Sequence, residues 1–340
     1  MFFNKLIYKA YAARVFCRFD GNPALRYFGV KDFEGLRSEE ASFDGPNNVT
    51  LRGAFYYTGE KSTERLIVFD HGMGAGHNAY MREIATIVQH GYTVFSYDHT
   101  GCMTSGGNHA RGFTSSLPDL DQAICYLKSV GYKVENISVI GHSWGGFATL
   151  NIPALHPDLR SCVAISGFVS ADAIINQYFP GVLLKKSRRT ILLAEDLANP
   201  RYLKYDAITG LKDTKVRMLI IHSEDDKTVS YKNNFERMRS SLIDNDNVSY
   251  IRLTDRNHNP NYTKSAVALL DRAMQEYTAL MKSKPSPEVV AAFRDNRDWW
   301  AITEQDMELW DKIFAHLDYS ADVAEDEDTA QINAESDISN

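Results

Sequence analysis

Residues Ile137-Ser138-Val139-Ile140-Gly141-His142-Ser143-Trp144-Gly145-Gly146 decide how this chain is read. A short β-branched run leads into a serine flanked by glycines, and residues 147–155 then read as a helix. A Gly-x-Ser-x-Gly between strand and helix predicts a sharp turn in which side chains two positions either side of the serine would collide. Ser143 would then stand at a helix N-terminus, where unpaired N–H groups and the helix dipole favour developing negative charge. That spacing makes Ser143 a candidate nucleophile.

Outward from this stretch, short apolar runs alternate with helical periodicity. Strands are expected at 39–43, 49–57, 65–69, 93–97, 162–165, 217–221 and 248–253, with Asp44-Gly45-Pro46-Asn47-Asn48 turning between the first two. Helices are expected at 79–90 and 118–130, the second with Leu120, Ile124 and Leu127 at helical spacing. The alternation predicts an α/β fold with a mostly parallel sheet covered on both faces, and sites outside the carboxyl ends of its strands. Residues 1–50 form an N-terminal extension whose first 16 residues suit an amphipathic helix lying on the protein's own body or on a membrane. The core spans 51–284, and 168–212 is too long for an ordinary connection, so a helical cap is expected there. Residues 285–318 form a helical addition, opened by Ser286-Pro287. It carries a capping-box pattern Thr303-Glu304-Gln305-Asp306, then Met307, Trp310, Ile313, Phe314 and Leu317 on one helical face. Residues 319–340 are an acidic tail expected to be disordered.

A serine hydroxyl is a weak nucleophile until a base takes its proton, and the base is oriented by a carboxylate. With this turn the acid precedes the histidine along the chain. After Ser143 come His156, His222, His258 and His316. The first two precede the plausible acid and the last lies in the appended helix, which leaves His258 in the polar loop Arg256-Asn257-His258-Asn259-Pro260. The strand 217–221 leads into His222-Ser223-Glu224-Asp225-Asp226-Lys227-Thr228-Val229, where three adjacent carboxylates leave the acid open; Asp255 more simply shapes its own loop. An oxyanion needs donors aimed at it. The N–H of Trp144 is one, and the turn His71-Gly72-Met73-Gly74-Ala75-Gly76 offers the N–H of Met73 as the other. That turn fails as a dinucleotide fingerprint because His77 stands where the third glycine is required, and no phosphate-loop motif occurs.

The set His71 to Gly74, Tyr97-Asp98-His99-Thr100-Gly101, Gly141 to Gly146, His222 to Val229 and His258 resembles the α/β-hydrolase superfamily. Within it, the sequence is similar to the branch of monoacylglycerol lipases, lysophospholipases and serine-aminopeptidase-like hydrolases, over residues 51–282. Members of that branch carry His-Gly-x-x-Asp-x-x-Val after the sixth strand, which selects Asp226 here, with Ser223 in place of the glycine. In the loop after Tyr97, Met103 replaces the family's second glycine. The resemblance implies a Ser143, Asp226, His258 triad with Met73 and Trp144 at the oxyanion. It implies hydrolysis of a small-molecule carboxylic ester, a lipid-like monoester among them, with no cofactor and no metal. Amidase or aminopeptidase-like cleavage is one alternative. A non-catalytic binding protein that meets a partner through the acidic tail or Trp299-Trp300 is the other.

In the cap, Tyr178, Phe179 and Leu183, beside Val182 and Leu184, are expected to bind substrate, and Lys185, Lys186, Arg188 and Arg189 face an anionic group or solvent. The chain has 340 residues, 44% hydrophobic, enough for a sizeable core. Its net charge of −7 resides wholly in 319–340, which has seven acidic residues and no Lys or Arg; elsewhere 37 basic residues meet 37 acidic ones. That balance gives no support to a nucleic-acid binder driven by counterion release. Four cysteines without Cys-x-x-Cys suit reduced thiols and a cytoplasmic setting, with Cys102 a small filler. No apolar run is long enough to span a bilayer, so any membrane contact is peripheral.

Overall fold

The computed structural model describes residues 2–319, with side chains from Leu6 onward. The acidic tail expected to be disordered therefore lies, from residue 320 on, outside the described residues. Helix α1 (Phe2–Val15) precedes an antiparallel pair, β1 (Arg37–Asp44) and β2 (Thr50–Tyr57). The alternating units follow: β3 (Leu66–Asp70), α2 (Met81–Gln89), β4 (Thr93–Asp98), α3 (Ser116–Ser129), β5 (Ile137–His142), α4 (Trp144–Asn151) and β6 (Ser161–Ile165). Helices α5 (Ala171–Tyr178), α6 (Lys185–Ala198) and α7 (Ala207–Leu211) fill the long insertion before β7 (Arg217–Ser223). After α8 (Arg237–Ser241) and β8 (Val248–Leu253) come α9 (Lys264–Met281), α10 (Pro287–Asp295), α11 (Trp299–Ile302) and α12 (Met307–Asp318).

The eight strands form one sheet in the order β1-β2-β4-β3-β5-β6-β7-β8, parallel from β4 onward. Both antiparallel strands belong to it, so β7, which ends on Ser223 just before Glu224-Asp225-Asp226, is seventh in chain order, as the run of expected strands implies. Successive side chains point to opposite faces. Val68, Val139 and Ile220 join the core layer beneath α3 and α4, and Phe69, Ile140 and Ile221 the layer beneath α2 and α12. Covering both faces in this way is what makes the strand runs continuously apolar. Carboxyl ends of β5, β7 and β8 lie on one edge of the sheet, and a loop leaves each of them there.

Helix α1 lies on the protein's body. Its Tyr11 and Val15 are buried, and the Tyr11 ring packs edge-on to Phe179 at 6.2 Å. The chain after it pairs with the loop that follows β4, through Phe19 N–H to Gly101 (2.9 Å) and Ala110 N–H to Cys17 (2.9 Å). In that loop Met103 keeps a left-handed φ of 38°, so the backbone conformation a glycine favours is held there by a bulkier residue. In the C-terminal addition the capping box is corrected. Asp306, not Thr303, caps α12 by accepting from Leu309 N–H, while Thr303 ends α11. The buried stripe shifts accordingly: Met307, in the first turn, is exposed, and Leu309 joins Trp310, Ile313, Phe314 and Leu317 inside. Trp300 packs against Phe28 with ring centroids 4.6 Å apart and planes tilted by 57°, beneath the Arg82 guanidinium, so its ring is engaged within the chain. Among the described residues no helix is long and apolar enough to cross a membrane.

One buried carboxylate fastens α6, and through it α1, to the core. Glu195 is fully buried and accepts from Tyr11 Oη, Phe113 N–H (3.0 Å), Thr114 N–H (3.1 Å) and Thr114 Oγ1 (3.0 Å). Both oxygens face donors, so an amide in its place aims N–H groups at other donors. Glu195→Gln is therefore expected to lower unfolding free energy by about 2 kcal/mol, read from the urea midpoint, despite its equal size. A midpoint equal to that of the parent protein contradicts the anchoring role.

Candidate active site

The strand-to-helix turn has the strain its glycines imply. Ser143 sits at φ 57°, ψ −109°, a region that costs a non-glycine residue about 1–3 kcal/mol. A Cβ on Gly141 would come within 2.2 Å of Thr149 Oγ1, and one on Gly145 within 2.0 Å of the Asp70 carbonyl oxygen. Ser143 is thereby lifted off the end of β5, with the first turn of α4 behind it.

Three distant side chains meet at this edge. His258 Nε2 lies 2.9 Å from Ser143 Oγ, and its Nδ1 lies 2.8 Å from Asp226 Oδ2. Asp226 Oδ1 accepts from the N–H groups of Thr228 (2.8 Å) and Val229 (2.9 Å), and Oδ2 also faces His222 Nε2 at 3.1 Å. Burial alone would raise this carboxyl, but the hydrogen bonds and charge of His222 and His258 outweigh it and hold Asp226 well below the usual carboxylate range. An ionised Asp226 accepts the Nδ1 proton of His258, which leaves Nε2 free to take one from Ser143. Asp225 points elsewhere: it accepts from Ser223 Oγ and from the N–H groups of Arg256 (3.3 Å) and Asn257 (3.2 Å), shaping the loop that carries His258. Asp255 pairs with Lys264 at 2.8 Å.

The turn after β3 is fixed at both peptides. His71 Nδ1–H donates to the Gly72 carbonyl (2.7 Å), and its Nε2 accepts from His99 N–H (3.0 Å). Burial, with repulsion from His99, lowers His71 to about 3, so this ring is neutral at neutral pH. His99 behaves oppositely. Burial lowers it, yet Asp70 and Asp119, each 3.2 Å away, push it up to about 10. In a trans peptide the Met73 N–H opposes the Gly72 carbonyl, so the bond from His71 sets its direction. Met73 and Trp144 border the same cavity as Ser143 and His258, and the Trp144 N–H, first in α4, has no partner within its helix.

Sequence reasoning missed a second set of residues. Tyr80 Oη accepts from Gly72 N–H (3.0 Å) and meets His142 Nδ1 at 2.9 Å; His142 Nε2 meets the His258 carbonyl at 2.7 Å. The proton positions follow from chemistry. A carbonyl only accepts, so Nε2 of His142 carries the proton and Tyr80 donates to Nδ1. Burial and the neighbouring His258 lower His142 to about 3, which keeps it in this neutral form. The chain of bonds runs behind Ser143 from the Met73 turn to the backbone of His258. His142 stood in the sequence only as the variable position of the Gly-x-Ser-x-Gly motif, and nothing local marked Tyr80.

A cavity of about 540 Å³ opens at Ser143, lined by Tyr11, Val15, Phe19, Phe113, Phe168, Ile174, Tyr178 and Phe179 among others. Tyr178 and Phe179 thus border this cavity. Leu183 does not: it is 97% exposed and points away from the cavity lining, because the turn after Phe179 carries it outward. Arg14, on α1, is the sole Arg, Lys, Asp or Glu among the lining residues. Cys102 is fully buried and its thiol is pushed far up by burial, which suits a filler. Among the described residues one trio could reach a metal, Asp121, Cys125 and His156, but His156 already bonds Asp121 at 2.8 Å.

Comparison with known proteins agrees with this architecture. Residues 61–198 match the family model described as serine aminopeptidase, S33. No curated protein matches the sequence. An esterase of Pyrococcus furiosus is similar in structure, with a TM-score of 0.56 at 18% identity, over 79% of this chain and 98% of that one. A puromycin-hydrolyzing peptidase of Mycobacterium tuberculosis reaches 0.52 at 17%, over 65% of this chain and 36% of its own. An acylaminoacyl peptidase of Pyrococcus horikoshii reaches 0.52 at 19%, over 67% and 39%. These likenesses establish the fold.

Tyr80→Phe removes one oxygen and leaves two buried groups, Gly72 N–H and His142 Nδ1, without partners. It is expected to cost about 2 kcal/mol of stability in urea unfolding. A loss below about 0.5 kcal/mol contradicts the bond chain as drawn.

Proposed function

We propose that this chain, an α/β-hydrolase, is a serine hydrolase that cleaves carboxylic esters, lipid-like monoesters among them, through an acyl-enzyme. The observation that carries the reading is the unbroken relay from Ser143 Oγ to His258 (2.9 Å) to Asp226 (2.8 Å) at the mouth of an apolar cavity. In this mechanism Ser143 Oγ attacks the acyl carbon as His258 Nε2 takes its proton, and ionised Asp226 stabilises the imidazolium. The N–H groups of Met73 and Trp144 hold the oxyanion. His258 returns the proton to the leaving alcohol, the acyl group stays on Ser143, and water reverses the steps with His258 as base. Tyr80 and His142 act as positioning residues, tying the Met73 turn to the backbone of His258.

An ester fits better than a peptide amine. An aminopeptidase site needs a carboxylate to hold the substrate's ammonium, whereas no carboxylate lines this cavity and Arg14 does. Tyr11, Phe113, Phe168 and Phe179 instead offer apolar surface to an acyl chain, and the volume lies within the range of small-molecule sites.

p-Nitrophenyl esters of increasing acyl length, set against the matching p-nitroanilides, test this reading. The expected outcome is kcat/KM rising several-fold per added pair of methylenes until the cavity is filled, with anilides far poorer. Ser143→Ala should lower kcat by roughly 10⁶-fold. A flat response to acyl length, or a preference for anilides bearing a free α-amine, overturns the assignment.

A further inference from the structure

The turn between α5 and α6 puts apolar side chains into water. Val182 is 85% exposed and Leu183 97%, although Tyr178 and Phe179, a few residues earlier, line the cavity beside Ser143. Arg188 holds the turn in shape by donating to the carbonyls of Phe179 (2.9 Å) and Gly181 (2.8 Å). Immediately after the apolar tip, Lys185, Lys186 and Arg189 begin α6, all exposed. The positive end of a helix dipole disfavours cations there, and no acidic residue stands in that turn to offset them. No Asp or Glu occurs anywhere in residues 173–194. Among the described residues, neither these three cations nor Arg14 at the cavity has a carboxylate partner within salt-bridge distance. Exposed apolar tips and dipole-opposed cations both work against stability and bury nothing among the described residues, which points to a partner beyond them.

We infer that the α5–α6 turn docks on an anionic lipid bilayer. Val182 and Leu183 enter the boundary of the acyl region while Lys185, Lys186 and Arg189 meet lipid phosphates, and the cavity mouth faces the membrane. A bilayer accepts a protruding apolar tip without a complementary pocket, and its headgroup layer supplies anions around the rim. A protein partner would need roughly 1,000 Å² of matched surface, far more than one tip provides. The docking itself stands on this surface alone. Its use, drawing a lipid-like ester from the membrane to Ser143, rests on the hydrolase reading above.

The full chain carrying Ser143→Ala, mixed with phosphatidylglycerol or phosphatidylcholine vesicles and separated by flotation, tests it. Binding to phosphatidylglycerol should be at least ~10-fold tighter than to phosphatidylcholine and weaken with added salt. Neutralising Lys185→Gln, Lys186→Gln and Arg189→Gln together should lower affinity ~100-fold, about five-fold per charge. Val182→Asp with Leu183→Asp should lower it at least ~10-fold. All five side chains are exposed, so circular dichroism should match the parent and the urea midpoint should be equal or higher, and in the Ser143 background the charge variant should cleave a short soluble ester at the parent's rate. Absence of vesicle binding, equal binding to both lipids, or variants that bind like the parent overturns the docking. Vesicle binding by a chain whose Ser143 form cleaves no ester would leave the docking standing and remove the hydrolase reading.

Discussion

The rest of the structure depends on a backbone conformation that most residues avoid. At φ 57° and ψ −109°, Ser143 is held by packing that tolerates no Cβ at Gly141 or Gly145. That strain persists only because β5 lies between β3 and β6 and α4 is buried along its whole length. The sheet thus fixes one hydroxyl at its carboxyl edge, and the edge brings the loops after β7 and β8 to the same place. With β5, β6, β7 and β8 adjacent, a relay across three loops needs no reach longer than a hydrogen bond between successive side chains.

Around the relay, polar groups are placed in advance rather than left to adjust. Asp226 is gripped by two backbone N–H groups as well as two imidazoles, so His258 faces a carboxylate that cannot turn away. The Met73 turn is held from below by His71 and from behind by Tyr80. Beneath it the buried Asp70–His99–Asp119 cluster keeps its charges together. Preorganisation of this kind lowers the reorganisation an oxyanion would demand. Facing this rigid floor, α1 and the α5–α6 segment form the cavity's outer wall, joined to the floor through Glu195.

Much of this was legible in the sequence because it is local. The Gly-x-Ser-x-Gly turn and the strand runs follow from spacing over a few residues, and His258 follows from chain order once the turn is granted. The acid was legible only in part. Glu224, Asp225 and Asp226 are chemically alike, and only the resemblance to a family motif chose among them; the structure separates Asp225 from Asp226 by the direction of their oxygens. Leu183 was misjudged for a related reason. An apolar run signals that something is covered, but not on which side of a turn. The wall built by Tyr11 and Arg14, the Glu195 anchor and the Tyr80–His142 link all join residues far apart in the chain, and no spacing rule encodes such contacts.

Covalent catalysis at this site requires that Ser143 itself become acylated. Rapid mixing with a p-nitrophenyl ester, acid quenching within the first turnover and peptide mass spectrometry test it most directly. About one equivalent of p-nitrophenol is expected in the first phase, with the acyl group covalently on the peptide that contains Ser143. Ester turnover in which the acyl group is found on another residue, or never on the protein, would contradict it.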